Sequence, residues 1–300
     1  MATQSPTPLN WASVGLLGLI WGGTFMVVSI ALEGYPPITV ACARTSLGAV
    51  AMLALVFALR RPWPQLTGKM VGLTSLVGIL NTAMPFTLLS WGQQYVPSAF
   101  AGIAMAAVPI FILPLAHVFS DERLSARNMA GVSLGFMGAV VLIGPSVLAL
   151  GSGSEPLGQL ACLAATVCYA VSSIMTRRIP PVDPVVLAAL LLIVGSIPMI
   201  PAMLLIDGLP QISSTRSAWA LVFLGLIPTG FAALLRVMTV RTAGSVFMSL
   251  VSYQVPLWSM IFGVLVLNEV LPLRFFLALG LILCGVLISQ WNSLKRIWTR

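Results

Sequence analysis

The sequence predicts an all-α integral membrane protein, with ten transmembrane helices arranged as two inverted five-helix repeats around a central cavity. Three observations lead to this fold class. Hydrophobic residues make up 59% of the 300-residue chain and charged residues only 7%, against roughly 25% charged in an ordinary soluble domain. The apolar residues form ten long runs, and the second half of the chain repeats the first half without a gap. A soluble fold could not bury this much apolar surface, so lipid must surround the protein.

The charges and cysteines argue against several classes of function. The net charge is +8, but the basic residues lie in short gaps between apolar runs and form no basic face for a nucleic acid. All four cysteines lie inside apolar runs, without a CxxC pair. This placement is typical of small buried side chains and not of a metal site or a disulfide. We therefore expect no metal, no cofactor and no nucleic-acid partner.

Each apolar run is long enough to cross a bilayer, which takes about 20 helical residues. Charges and clusters of Gly, Pro and Ser separate the runs, and the connections are too short for a soluble domain. The first run is longer than the apolar core of a signal peptide, so we expect it to be retained as a helix. The predicted spans are 11–32, 37–59, 69–92, 98–119, 127–147, 157–177, 184–206, 217–240, 245–267 and 273–293.

The basic residues predict the orientation of these spans. Eleven of the fifteen fall on the side that carries the two termini, and only Arg216 and Arg274 fall on the other side. Basic residues concentrate on the cytoplasmic side of membrane proteins. We therefore expect both termini in the cytoplasm, and an odd number of spans would remove the bias.

The repeat superimposes residues 10–144 on 157–291 at a constant offset of 147. It divides the chain into a first repeat, 1–148, and a second, 149–300, within one transmembrane unit. Since each repeat holds five spans, the second must enter the membrane from the opposite side. Inverted repeats of this kind recur in secondary transporters. Identical pairs include Gly48/Gly195, Thr82/Thr229, Pro109/Pro256, Glu122/Glu269 and Arg127/Arg274.

Three motifs give the chain a recognisable family resemblance. They are LIWGGTFMVVSIAL in the first span, RTSL in the second, and the phrase VP…E…R that ends each repeat. With the ten-span layout they resemble the drug/metabolite transporter superfamily, and the EamA-like branch most closely. The resemblance covers about residues 10–293 and implies a bacterial inner-membrane exporter of amino acids, including aromatic ones, or of similar metabolites. It also implies a cavity lined mainly by helices 1, 3, 4, 6, 8 and 9. We expect such a protein to function as a monomer.

Polar and aromatic residues in the middle of spans are the candidates for substrate binding. An amide or hydroxyl facing lipid without a partner costs several kcal/mol, so these groups face either the cavity or a neighbouring helix. Their uncharged character fits neutral or zwitterionic solutes and fits phosphorylated ones poorly. The candidates are Trp21, Thr24, Asn81, Thr82, Tyr169, Ser172, Thr229, Ser252, Tyr253, Gln254 and Trp258.

Arg44 is a further candidate, because an arginine inside a span is costly unless it is paired or reaches the interface. Its equivalent in the second repeat is Leu191, so the repeat does not account for it. A substrate carboxylate is one partner that would explain it, and structural pairing or snorkelling is the alternative.

The acidic residues all lie at or beyond the ends of spans. Proton-coupled carriers commonly relay protons through buried acids or histidines. The sequence therefore favours a facilitative, uniporter-like carrier, with a proton-coupled multidrug or metabolite exporter as the alternative. A membrane enzyme and a channel or scaffold are more remote alternatives, since no cluster of acids and histidines suggests catalysis.

The phrase that ends each repeat predicts two structural devices. Pro109 and Pro256 lie in the middle of spans, where proline kinks a helix, and we expect either a hinge or a static bend. Glu122 with Arg127, and Glu269 with Arg274, are expected to form ion pairs that hold adjacent helices together at the interface. The alternative for these pairs is a latch that opens and closes with the transport state.

Overall fold

The computed structural model describes residues 7–119, 125–144, 153–211, 214–243 and 245–298, and their regular structure is entirely helical. Four of the described helices are interrupted: α3 and α8 contain π-helical segments at Ile79–Ala83 and Gly225–Phe231, and α4 and α9 are broken at residues 106–107 and 249–250. The helices are α1 Pro8–Leu32, α2 Pro37–Ala58, α3 Gly68–Gly78 continuing as Met84–Gly92, α4 Ser98–Met105 and Val108–Phe119, α5 Ala126–Ile143, α6 Glu155–Thr176, α7 Pro184–Ile206, α8 Thr215–Leu224 continuing as Ala232–Ala243, α9 Ser245–Met248 and Val251–Leu267, and α10 Leu273–Trp298.

The helices match the ten predicted spans. Within the described ranges, nine are long and apolar enough to cross a membrane, and the main part of α9 adds a tenth apolar helix at Val251–Leu267. Several begin where the sequence provides a cap. Thr7, Thr67, Ser125 and Ser214 each accept a hydrogen bond from the backbone N–H three residues on, which satisfies a donor that the first helical turn leaves free.

The two repeats pack through equivalent glycine contacts between α5 and α10. A methyl group added at Gly131 would lie 2.5 Å from the carbonyl oxygen of Gly285, and one added at Gly138 would lie 3.0 Å from that of Ala278. The two contacts are equivalent in the repeat, because the offset of 147 relates Gly131 to Ala278 and Gly138 to Gly285. Small residues therefore bring the backbones of these helices together on both sides of a pseudo-two-fold axis.

A second pair of equivalent contacts lies at the π-helical segments. Thr82 in α3 packs against Gly195 in α7, and Thr229 in α8 packs against Gly48 in α2. Each threonine also donates its hydroxyl hydrogen to a backbone carbonyl of its own helix. The identical pairs of the repeat therefore form threonine–glycine contacts between the two halves. The two glycines lie in α2 and α7, which also pack directly against each other.

The ion pairs of the loops agree with ten alternating spans. Arg61 pairs with Asp183 at 3.6 Å on the face that carries the termini. Arg216 pairs with Glu33 at 3.6 Å on the opposite face. Each pair joins one repeat to the other, and each joins loops that an even alternation of spans places on one side.

The expected pairing of Glu269 with Arg274 is wrong. Glu269 instead accepts hydrogen bonds from the backbone N–H groups of Ser98, at 2.6 Å, and Ala99, at 3.2 Å. Arg274 lies 3.6 Å from Glu155. The carboxylate is drawn away because the first turn of α4 presents free N–H donors and the positive end of its dipole, and Gly263 leaves room for it.

The equivalent pair in the first repeat is Glu122 and Arg127. Glu122 lies outside the described residues, and Arg127 is exposed in the first turn of α5. What the second repeat shows is a carboxylate from the α9–α10 connection holding the start of α4. The contact therefore joins the two repeats instead of two successive helices.

The two prolines predicted in the middle of spans lie in different local surroundings. Pro256 is an interior residue of α9, whereas α4 breaks just before Pro109, which is the second residue of Val108–Phe119. Proline is well placed there, since the first helical turn needs no N–H donor. The break in α9 lies at residues 249–250, which correspond to residues 102–103 of the first repeat. It therefore precedes the position equivalent to the α4 break.

Candidate functional site

In the π-helical segment of α8, a backbone carbonyl accepts a hydrogen bond from a side chain of another helix. Pro228 lies inside the segment of α8 and has no N–H to donate. Its own carbonyl oxygen accepts a hydrogen bond of 3.1 Å from Trp21 Nε1 in α1. A π-helical turn shifts the backbone hydrogen-bond register, and such turns are frequent at functional sites. The indole is thereby fixed between α1 and α8.

Arg44 reaches from α2 to the same segment. Its Nε donates to Thr229 Oγ1 at 3.1 Å, while Thr229 donates its own hydrogen to the carbonyl of Leu224 at 2.8 Å. The guanidinium carbon lies 3.8 Å from the ring centroid of Phe86 in α3, a cation–π contact. Arg44 is only 9% exposed, so its charge is buried between α2, α3 and α8.

Tyr169, Ser172 and Asn81 adjoin this arginine from α6 and α3. Tyr169 packs against the apolar group that contains Phe86 and lies near Arg44. Ser172 Oγ lies 3.0 Å from the Tyr169 carbonyl oxygen and 3.3 Å from Asn81 Oδ1. The structure thus links half of the predicted residues, which we call the central polar cluster. Its members are Trp21, Arg44, Asn81, Tyr169, Ser172 and Thr229.

Other predicted residues have local partners. Thr24 is buried and donates to the Ile20 carbonyl at 2.9 Å. Gln254 lies over Gly18 and its Nε2 is 3.5 Å from the Val14 carbonyl oxygen. Trp258 lies against Gly22 and stacks on Phe262, with the ring centroids 5.8 Å apart. Thr82 is held against α7, as described above. The structure places these side chains at contacts between or within helices.

The two remaining candidates lie near the break in α9. Ser252 is exposed. Tyr253 packs against the largest apolar core, and its hydroxyl is buried with no hydrogen-bond partner among the described residues. An unpaired buried hydroxyl costs about 1–3 kcal/mol, so Tyr253 has the capacity for one further polar contact.

Sequence reasoning missed Phe86 and the π-helical segments. Phe86 follows Pro85 in a run of apolar residues, and its type gives no hint that its ring supports a cation. The prolines Pro85 and Pro228 were the available signal for the segments, since a proline inside a span disturbs the hydrogen-bond ladder. Within the described ranges, no group of His, Cys, Asp and Glu is arranged to hold a metal ion.

The described residues form ten apolar helices in two related halves, with polar groups where the halves meet, and this is the architecture of a multi-pass membrane transporter. The chain belongs to the EamA-like transporter family, whose model matches residues 10–144 and 156–291. This is a family of transporters and not of enzymes. The chain is also similar to the Escherichia coli inner membrane transporter YedA, which is 25% identical over 91% of this chain and 87% of its own length.

Two further relatives have more specific names. A probable terminal-alkyne amino-acid exporter of Streptantibioticus cattleyicolor is 26% identical over 95% of this chain and 94% of its own length. A probable amino-acid metabolite efflux pump of E. coli is 28% identical over 64% of this chain and 63% of its own length. A solved crystal structure shares the fold with a TM-score of 0.64 and 22% identity, covering 95% of this chain and 98% of the other.

Proposed function

We propose that the protein exports small neutral or zwitterionic metabolites, such as amino acids and including aromatic ones, by facilitated alternating access. The observation that carries this proposal is the central polar cluster. It brings hydroxyl, amide and aromatic groups from α1, α2, α3, α6 and α8 together between the two repeats. Hydroxyls and amides can bind the polar groups of an amino acid, and Trp21 and Tyr169 can stack on a flat side chain.

The arrangement of charge supports transport without proton coupling. The acidic residues of the sequence lie at or beyond the ends of the spans, so the cluster contains no carboxylate that could carry a proton. The names of two relatives support amino acids or similar metabolites as the substrate class. We further propose cytoplasmic termini, from the distribution of basic residues, and a functional monomer in which the repeats 1–148 and 149–300 move relative to one another.

Counterflow in proteoliposomes tests this function. Purified protein is reconstituted, the vesicles are loaded with one unlabelled amino acid at a time, and entry of the radiolabelled form is measured. We expect saturable counterflow for at least one amino acid, and no accumulation when a pH gradient is imposed without a substrate gradient. A panel of the twenty standard amino acids without counterflow would contradict the substrate class, and accumulation driven by pH would contradict facilitated transport.

A matched pair of serine variants locates the site. Ser172→Ala removes a hydroxyl from the central polar cluster, whereas Ser252→Ala removes an exposed one outside it. We expect Ser172→Ala to raise the KM for counterflow several-fold, because a hydrogen bond is worth about 0.5–1.5 kcal/mol. Ser252→Ala should leave KM unchanged. If the two variants change the KM for counterflow equally, the central polar cluster is not the binding site.

A further inference from the structure

Arg44 has hydrogen-bonding capacity that the described part of the fold does not use. A guanidinium carries five N–H donors. Among the described residues, Thr229 accepts the Nε–H, at 3.1 Å, and no hydrogen bond or ion pair occupies the two terminal nitrogens. Phe86 covers one face of the group, which leaves its edge as the direction for a further partner.

The fold itself does not require an arginine at this position. The equivalent residue of the second repeat is Leu191, and the backbones around the two positions correspond. The carbonyl of Arg44 faces Gly225 in α8, and the carbonyl of Leu191 faces Gly78 in α3. Leu191 simply packs in an apolar group with Val77. An apolar side chain therefore satisfies the same site in the same fold.

Among the described residues, the charge of Arg44 has no counter-ion. Its described neighbours Thr229, Phe86 and Tyr169 are neutral groups, and the sequence places every acidic residue at or beyond the span ends. A buried charge is costly unless it is paired. An arginine that is expensive to bury and unnecessary for packing needs another source of compensation, and a bound anion provides it.

We propose that Arg44 binds the carboxylate of the transported substrate, an inference that rests on the proposed function. A planar guanidinium binds a planar carboxylate through two parallel hydrogen bonds, and a single negative charge neutralises the single cation. The free edge of the Arg44 guanidinium therefore fits a carboxylate. Solutes that carry a carboxylate bind, and the corresponding amides do not.

Two leucine substitutions make a matched test. Arg44→Leu installs the residue that the other repeat carries at the equivalent position. Arg236→Leu does the same at an exposed arginine of α8, whose equivalent is Leu89. The readout is the thermal-unfolding midpoint of the detergent-purified protein, measured with each of the twenty standard amino acids and with the carboxamides of those that raise it.

We expect at least one amino acid to raise the unfolding midpoint of the wild-type protein and of Arg236→Leu, while its carboxamide does not. Arg44→Leu should fold with a midpoint at or above that of the wild type, because it removes a buried charge. Its apparent affinity for the amino acid should fall at least about tenfold, which corresponds to about 1.4 kcal/mol. A purely structural role predicts the reverse, a large loss of stability in Arg44→Leu.

Three results would overturn the inference: equal stabilisation by acid and amide, an unchanged response in Arg44→Leu, or no stabilisation by any amino acid in the panel. The counterflow assay separates this outcome from failure of the proposed function. If Arg44→Leu shows counterflow with an unchanged KM, the proposed transport function stands and the proposed carboxylate site is wrong. If binding depends on the carboxylate but no counterflow occurs, the proposed site stands and the proposed transport function is wrong.

Discussion

The contact of Glu269 with the start of α4 predicts an unusually large effect for a conservative change near the membrane surface. In Glu269→Gln, one amide oxygen still accepts a hydrogen bond, but the amide nitrogen faces a backbone N–H, donor against donor. The variant therefore loses one of the two bonds that the carboxylate makes, at 2.6 and 3.2 Å, and the charge beside the helix dipole. A hydrogen bond to a charged group contributes about 1.5–3 kcal/mol, and the dipole adds about 0.3–1 kcal/mol.

We therefore expect Glu269→Gln to lower the free energy of unfolding by about 2–3 kcal/mol. The matched control is Glu33→Gln on the same face, where Glu33 pairs with Arg216 at 3.6 Å and both side chains are at least half exposed. Such a pair contributes about 0–1 kcal/mol. Denaturant unfolding of the two purified variants measures the difference. If Glu269→Gln is no more destabilising than Glu33→Gln, the carboxylate does not hold α4 as argued.

Three further predictions concern packing, the breaks in the helices and orientation. Gly48→Ala should destabilise the protein by more than about 1 kcal/mol because its methyl group overlaps Thr229, whereas Gly15→Ala, which has open space, should be neutral or stabilising in the same unfolding assay. Pro256→Ala should slow counterflow more than Pro109→Ala if the interior proline is a hinge, since Pro109 already begins a helix segment; equal rates in both variants and the wild type would leave only a static bend. A membrane-impermeant maleimide should label Gln211→Cys in intact cells, and labelling only after lysis would reverse the predicted orientation.

Much of the fold was predictable because lipid imposes one simple rule on the sequence. A chain in hydrocarbon must satisfy its backbone internally, so long apolar runs become helices and charges mark their ends. The offset of 147 then relates Thr82 to Thr229 and Gly48 to Gly195, and these pairs meet in the structure. The partner of Glu269 was not predictable, because proximity in sequence favoured Arg274 and only the three-dimensional packing brings the start of α4 within reach.

The candidate site was predictable only in part, for a related reason. A helix surrounded by lipid and other helices is apolar on nearly all its faces, so the pattern of hydrophobic residues does not show which face looks inward. Trp21 and Trp258 look alike in sequence, yet one bonds to the Pro228 carbonyl in the central polar cluster and the other stacks on Phe262. The sequence shows how deep a residue lies along its span, but only the packed structure shows which side of the helix it is on.

Several residues of the central polar cluster differ from their equivalents in the other repeat, although the two repeats share one fold. A perfect two-fold axis through the site would present the same groups on both sides, whereas an amino acid carries a carboxylate at one end and a side chain elsewhere. A binding site on such an axis must therefore break the repeat. Arg44 is opposed by Leu191, Asn81 by Pro228, and Tyr169 by Gly22, while Thr229 and Thr82 keep the packing that both halves need. In the proposed transport cycle, the repeat supplies the scaffold that the two halves share, and the unmatched residues make the proposed binding site chemically asymmetric.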